Sequence, residues 1–319
     1  MTVVKPFRGL RPPSSLVKDL ACLPYDVMNT EEAASMAKGR ECSLLHITRS
    51  EIDLPAGTDI HSEEVYKKSF DNFQKWQKEG WLVQDKSPHF YIYAQTMEGR
   101  TQYGIAACAS VDDYLNGVIR KHELTRPDKE HDRMVHIRTN EANIEPVFLA
   151  YHAVKEIDDI VAEIVATEKP DYDFTAEDGF GHHFWVIRNM DTNRTLENLF
   201  ATKVPYTYVA DGHHRTAAAA HVGMEMRSKN PSHNGDEDYN YFLAVHFPHN
   251  QLRIIDYNRL VKDLNGLSPE QFLGLSSVLL NTEILNRLLK TIHGGLVEGL
   301  IVPAAGIGNE AGFVISLGG

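Results

Sequence analysis

The stretch YTYVADGHHRTAAAA, residues 206–220, joins an apolar, strand-like run to an alanine-rich helical run through Asp211-Gly212-His213-His214-Arg215. Strand, polar turn and helix in that order form the repeating unit of α/β folds. The alternation continues on both sides. Upstream, PVFLAYHAV (146–154) reads as a buried strand, EIDDIVAEIVATE (156–168) as an amphipathic helix and HHFWVIR (182–188) as another strand. Downstream, TAAAAHVGMEMRSK (216–229) reads as a helix, and YFLAVHF (241–247) and LRIIDY (252–257) as strands. These elements predict a mixed α/β (α+β) class.

Farther towards the N-terminus, FYIYAQ (90–95) and QYGIAACASV (102–111) flank the turn-like TMEGRT and predict a β-hairpin. Residues 62–79 carry Val65, Tyr66, Phe70, Phe73 and Trp76 on one side, with Gly80 placed to end a helix; these aromatics belong to the core. Asn29 and Glu32 form a capping-box pattern before EEAASMAKG, and Ser268 with Gln271 repeats it before a helical run over 268–295.

Composition bounds the function. The chain has 319 residues, 42% of them hydrophobic and 24% charged, enough for one large core or two modest ones. A formal charge of −12 argues against the phosphate attraction that drives non-specific nucleic-acid binding. Three widely spaced cysteines suggest neither a disulfide framework nor a Cys-x-x-Cys metal site, so a reducing, cytoplasmic setting is expected. Neither a secretory leader nor a run long enough to span a membrane is read, so no membrane partner is expected. A homodimer is left open.

The turn at 211–215 sits where a helix begins, and free backbone N–H groups with the positive end of the helix dipole make such a place an anion site. Gly212 permits close approach to a phosphate, Arg215 can add a forked contact, and His213 and His214 can give hydrogen bonds or protons to phosphate oxygens. Asp211 can hold Mg2+ or accept a proton from an attacking hydroxyl. The plainer alternative has Asp211 capping the helix, Gly212 making the turn and the histidines lying at the surface. Zinc fits poorly, because the two histidines are neighbours and no His-Glu-x-x-His occurs.

From Asp112 to Asn143 charges and histidines crowd together, at a density no buried element tolerates without partners. Arg120, Lys121, His122, Glu123, Thr125, Arg126, Asp128, Lys129, Asp132 and Arg133 offer a base, carboxylates and phosphate-binding cations, or else a solvated loop. Pro24-Tyr25-Asp26-Val27 is a third polar cluster, or a proline-set turn. No phosphate loop of the Walker type, no dinucleotide fingerprint (GIGNEAG at 306–312 fits neither) and no Gly-x-Ser-x-Gly elbow is present.

KPFRGLRP, LPYDV, GVIRKHELTRPDKEHDR, NIEPVFLAY, YVADGHHRTAAA and YFLAVHF together resemble the bacterial and archaeal proteins grouped as domain-of-unknown-function family one-zero-one-five, over roughly the first 260 residues. The DGHHR turn is also similar to that of free serine kinases on the ParB/sulfiredoxin fold. The resemblance implies a ParB/sulfiredoxin-like core and a small-molecule kinase that uses ATP and Mg2+ to phosphorylate the hydroxyl of free L-serine.

Carried over by position, Asp211, Gly212, His213, His214 and Arg215 form the phosphate and metal turn, and Thr216 is the first helical hydroxyl. His122, Arg126 and Arg133 stand near phosphate, Glu123 is general base or Mg2+ ligand, and Tyr25, Asp26 and Thr125 meet the substrate. The resemblance further implies a catalytic region over 1–265, made of N-terminal α/β elements over 1–111, the charged segment 112–145 and the DGHHR core 146–265. Residues 266–319 are expected to be helical and Gly-rich, and the resemblance implies that they are atypical or truncated, since the family's Pro-Lys-Ser-Thr-Phe-type ending is not matched. Asn258 departs from the family's histidine. Two other readings use the same residues: a ParB-like nucleotide-binding switch or nucleic-acid-associated protein, and a metal-dependent phosphatase or nuclease.

Overall fold

In the computed structural model, which describes residues 1–253, 266–268, 270–271 and 315–316, the hairpin read at 90–111 is the centre of a large mixed sheet. The strands are β1 (Val4–Lys5), β2 (Leu10–Arg11), β3 (Val83–Gln84), β4 (Tyr91–Met97), β5 (Arg100–Ser110), β6 (Ile119–Arg120), β7 (Ala142–Asn143), β8 (Val147–Tyr151), β9 (Tyr172–Thr175), β10 (Gly181–Val186), β11 (Thr207–Asp211), β12 (Tyr241–Pro248) and β13 (Ile315–Ser316). The helices are α1 (Val17–Leu20), α2 (Thr30–Ala37), α3 (Leu45–Thr48), α4 (Glu63–Glu79), α5 (Val111–Leu115), α6 (Pro127–Asn140), α7 (Lys155–Thr167), α8 (Met190–Lys203) and α9 (His213–Lys229). The mixed α/β expectation holds.

Among the described residues the main sheet has nine strands, ordered β6-β11-β8-β12-β5-β4-β10-β9, with β1 joining along β5. β6 runs parallel to β11 and β8 parallel to β12; the other pairs are antiparallel. The β4–β5 turn is Glu98-Gly99, both at positive φ, which suits a two-residue hairpin loop and matches the twist of the flanking strands.

Alternation along the strands sorts the core into two faces. Ile92, Ala94, Ile105 and Ala107 pack with Ile157, Val161, Leu196 and Phe200 of α7 and α8. Tyr91, Tyr93, Ala106, Leu243, Val245 and Phe247 face the other way, with Phe7 and Val17. On α9 the run Ala217–Ala220 is buried against Val147, Leu149, Val209 and Ala244, because small side chains let a helix lie close to a sheet. Gly223 takes this furthest: a Cβ there would stand 2.5 Å from the Tyr239 carbonyl oxygen.

Local signals act as read. The Asn29 side chain and the Glu32 side chain cap each other's backbone N–H groups at the start of α2, and Gly80 ends α4 with φ +75°. The charged segment is divided between surface and interior, since α6 buries Asp132, Arg133, His136 and Asn140.

The chain forms two compact units, residues 1–252 with 306–319, and residues 253–305. In the second, Ser268 and Gln271 exchange the expected capping bonds at 2.9 and 3.2 Å. Most of the strand read at 252–257, Asn258, most of the helix read over 268–295 and most of the Gly-rich end lie outside the described residues. Among the described residues no helix is long and apolar enough to cross a membrane.

Candidate active site

Topology brings the three polar stretches of the sequence to one end of the sheet. Because β6 is parallel to β11, the residues leaving β6 (121–125) and those leaving β11 (211–215) emerge at the same end. β8 is antiparallel to β11, so Glu145 and Pro146 enter there too.

The end of β11 is irregular. Val209 pairs with Leu149 but Asp211 pairs with Phe148, so one extra residue is accommodated, and such a bulge re-aims the side chain that follows it. Gly212 then takes φ +89° as the N-cap of α9, a left-handed conformation open to glycine. A Cβ on Gly212 would stand 3.2 Å from Arg215 Nε, so the guanidinium lies over the turn. Arg215 donates Nη2 to Asp211 Oδ2 at 2.7 Å and Nη1 to the Pro146 carbonyl.

The alternative of an ordinary capped surface turn holds for Gly212, which makes the turn, but not for Asp211 as a cap or for His213 at the surface. Asp211 pairs with Arg215, the N-cap residue is Gly212, no side chain caps the helix, and no acidic residue stands in its first turn. His213 is buried at 6% exposure. The first turn of a 17-residue helix thus carries its positive dipole end without a negative partner of its own.

The loop from β6 to α6 lies against this turn. The His122 and His213 rings meet edge to face at 4.5 Å, and Glu123 Oε2 stands 3.5 Å from His213 Nδ1. Burial lowers the His213 pKa to about 4, helped by the repulsion that protonating it beside a protonated His122 would bring, and burial lowers that of His122, so both rings are neutral at pH 7. His213 Nε2 is buried without a hydrogen-bond partner among the described residues. The Arg126 N–H donates to His214 Nε2 at 3.1 Å, which takes that nitrogen's lone pair and leaves Nδ1 as the donor. Asp211 and Glu123 are open to solvent, at 52% and 60% side-chain exposure.

Other expected residues are engaged differently. Thr216 is fully buried and donates its hydroxyl to the Gly212 carbonyl at 2.9 Å, which commits that proton to the turn itself. Thr125 donates to Glu130 at 2.8 Å, and Glu130 also meets His221 at 2.5 Å. The Arg126 side chain is exposed and pairs with Asp128.

Arg133 is buried with Asp132, to which it gives Nε and Nη2, and its guanidinium lies 3.7 Å above the Tyr25 ring. The Tyr25 N–H donates to Glu145 Oε1 at 3.1 Å, and burial raises the Tyr25 hydroxyl pKa to about 12. Asp26 is exposed beside them, and its charge helps to raise the pKa of both Tyr25 and Glu145.

Glu145 escaped the reading of the sequence. Burial raises its pKa, and it lines a cavity with Arg133, His136, Asn143 and Arg215. Its signal was positional: a carboxylate directly before Pro146, at the mouth of an apolar strand, where an acidic side chain is costly unless something is built to meet it.

The chemistry of this end is therefore an anion-accepting helix start, neutral imidazoles, two solvent-open carboxylates and a buried cluster of charges. Among the described residues no group of three or more His, Cys, Asp or Glu side chains is arranged to hold a metal ion. A model of the family described as "Protein of unknown function (DUF1015)" matches residues 4–284. No curated protein and no solved structure matches the chain.

Proposed function

The chain belongs to the DUF1015 family, and from the polar end of its sheet we propose that it is a phosphotransferase that moves the γ-phosphoryl group of ATP to the hydroxyl of a small free amino acid, L-serine first. The observation that carries the reading is the start of α9: an uncapped helix terminus with no acid in its first turn, Arg215 folded over it, and the imidazoles of His122, His213 and His214 beside it. A phosphate group supplies the missing negative partner. The amino-acid acceptor comes from the likeness of the DGHHR turn to that of free serine kinases.

In the reaction the hydroxyl oxygen forms a bond to the γ-phosphorus while the bond from that phosphorus to the β,γ-bridging oxygen breaks. ADP leaves with that electron pair, and the hydroxyl proton passes to a carboxylate, Asp211 or Glu123. Such transfers need little covalent help from a protein, and positioning with charge stabilisation supplies most of the acceleration. The first-turn N–H groups and Arg215 hold the transferred group, and the imidazoles donate hydrogen bonds to its oxygens.

The donor set fits Mg2+, because hard carboxylate oxygens at Asp211 and Glu123 are open to solvent and this ion is commonly held by one or two carboxylates plus the substrate's phosphates. When bound, Mg2+ neutralises charge on the phosphates.

Incubation with ATP, Mg2+ and a pool of free amino acids, followed by mass spectrometry, tests the proposal. Phosphoserine with an equal amount of ADP is expected. Phosphate appearing in water instead of on an acceptor would replace this reading with a phosphatase one.

A further inference from the structure

Arg215 ties the α9 turn to a second feature, a cavity of about 40 Å³ that it lines together with Arg133, His136, Asn143 and Glu145. A water molecule needs about 10–15 Å³ on this measure, so the space takes a group of a few heavy atoms. Two charged side chains in its wall have unused bonding capacity. Arg133, 7% exposed, spends Nε and Nη2 on the single oxygen Oδ2 of Asp132, at 2.9 and 2.6 Å. Its Nη1 makes no hydrogen bond among the described residues, and Glu145 Oε2 stands 3.7 Å from it, beyond hydrogen-bond reach. Glu145 accepts the Tyr25 N–H on Oε1, while Oε2 accepts nothing among the described residues. A donor and an acceptor that face one cavity without reaching each other, with Arg215 also charged in its wall, favour a group that meets both, water or a ligand.

A ligand that displaces water from this space is constrained in its chemistry. A fully ionised phosphate ester offers Glu145 no donor, and a simple amine offers Arg133 no acceptor. A carboxylate and an ammonium on one carbon satisfy both atoms and leave the net charge of the buried cluster unchanged. We infer that this cavity recognises the head group of a small α-amino acid, Arg133 taking the carboxylate and Glu145 the ammonium. Arg215 joins this cavity to Asp211 at the helix start. The fate of the bound amino acid rests on the phosphotransferase reading; its binding does not.

Calorimetric titration of the full chain, with Mg2+ and a non-hydrolysable ATP analogue present, tests this with L-serine, ethanolamine (no carboxylate) and glycerate (no ammonium). Serine is expected to bind about ten-fold or more tightly than either truncated ligand, since each lost partner is a charged hydrogen bond. The isosteric Glu145→Gln should erase the preference over glycerate and keep that over ethanolamine; Arg133→Lys, which loses the fork, should do the reverse. Circular dichroism checks the fold of each variant, and if one fails to fold the other still carries the selectivity test. Serine binding no tighter than the truncated ligands, or preferences unmoved by the folded variants, overturns the assignment. Phosphoserine formation with unmoved preferences would keep the phosphotransferase and reject this site. Head-group-selective binding without phosphoryl transfer would keep the site and reject the phosphotransferase.

Discussion

Acidification should unfold this protein through its buried histidines. His136, His182, His213 and His246 are at most 8% exposed, and burial lowers their pKa values to about 3, 4, 4 and 4 from an ordinary 6.5. Between pH 6.5 and about 4 the unfolded chain therefore binds protons that the folded chain refuses. Their contribution is fully present above pH 6.5 and is lost as pH falls through that window. At pH 5 each such histidine costs about 2 kcal/mol, and the four together approach the ~5–15 kcal/mol margin of a typical domain. His246, fully buried in β12, isolates one share. Urea unfolding followed by circular dichroism at pH 7 and pH 5 should show a stability loss in His246→Leu about 2 kcal/mol smaller than in the wild type. Carboxyl groups whose pKa burial raises, Glu145 and Asp113 among them, act in the opposite direction but equally in both proteins. An identical pH dependence in the two proteins would refute the argument.

Gly212→Ala forces a side chain into φ +89° against the Arg215 guanidinium, and should cost about 1–3 kcal/mol in urea unfolding. It should also abolish phosphoryl transfer, as measured by ADP release. Gly223→Ala sets a Cβ 2.5 Å from the Tyr239 carbonyl oxygen and should cost about 1–3 kcal/mol by separating α9 from its neighbour, read as a lower unfolding midpoint. Tyr66→Phe removes the 2.8 Å hydrogen bond to buried Asp132 and should cost about 1.5–3 kcal/mol in the same assay. Asp211→Asn leaves the side chain nearly isosteric and half exposed; its unfolding midpoint should stay within about 1 kcal/mol of wild type while transfer is lost.

Features that depend on neighbours in sequence are legible in the sequence alone. The Asn29/Glu32 box, the Gly80 terminator, the 90–111 hairpin and the strand-to-helix passage at 206–220 are all set within a few residues. The DGHHR turn is legible for the same reason. Partners distant in sequence are not. Nothing in the residues near 133 says that its guanidinium lies over Tyr25, and nothing near 215 says that it donates to the Pro146 carbonyl. Glu145 is hidden twice: it is one more charge at the end of the crowded segment 112–145, and its importance comes only from the cavity that β8, α6 and α9 enclose together. Thr216 shows the converse, since a hydroxyl at a helix start reads as a ligand until its bond to Gly212 is seen.

The most direct test of the central claim is phosphorus NMR of the wild type and Asp211→Asn with ATP, Mg2+ and L-serine. A phosphoserine resonance growing in step with ADP is expected in the wild type, and none in the variant. Wild-type protein that binds ATP and serine yet forms no phosphoserine, or a variant that forms it at the wild-type rate, would contradict it.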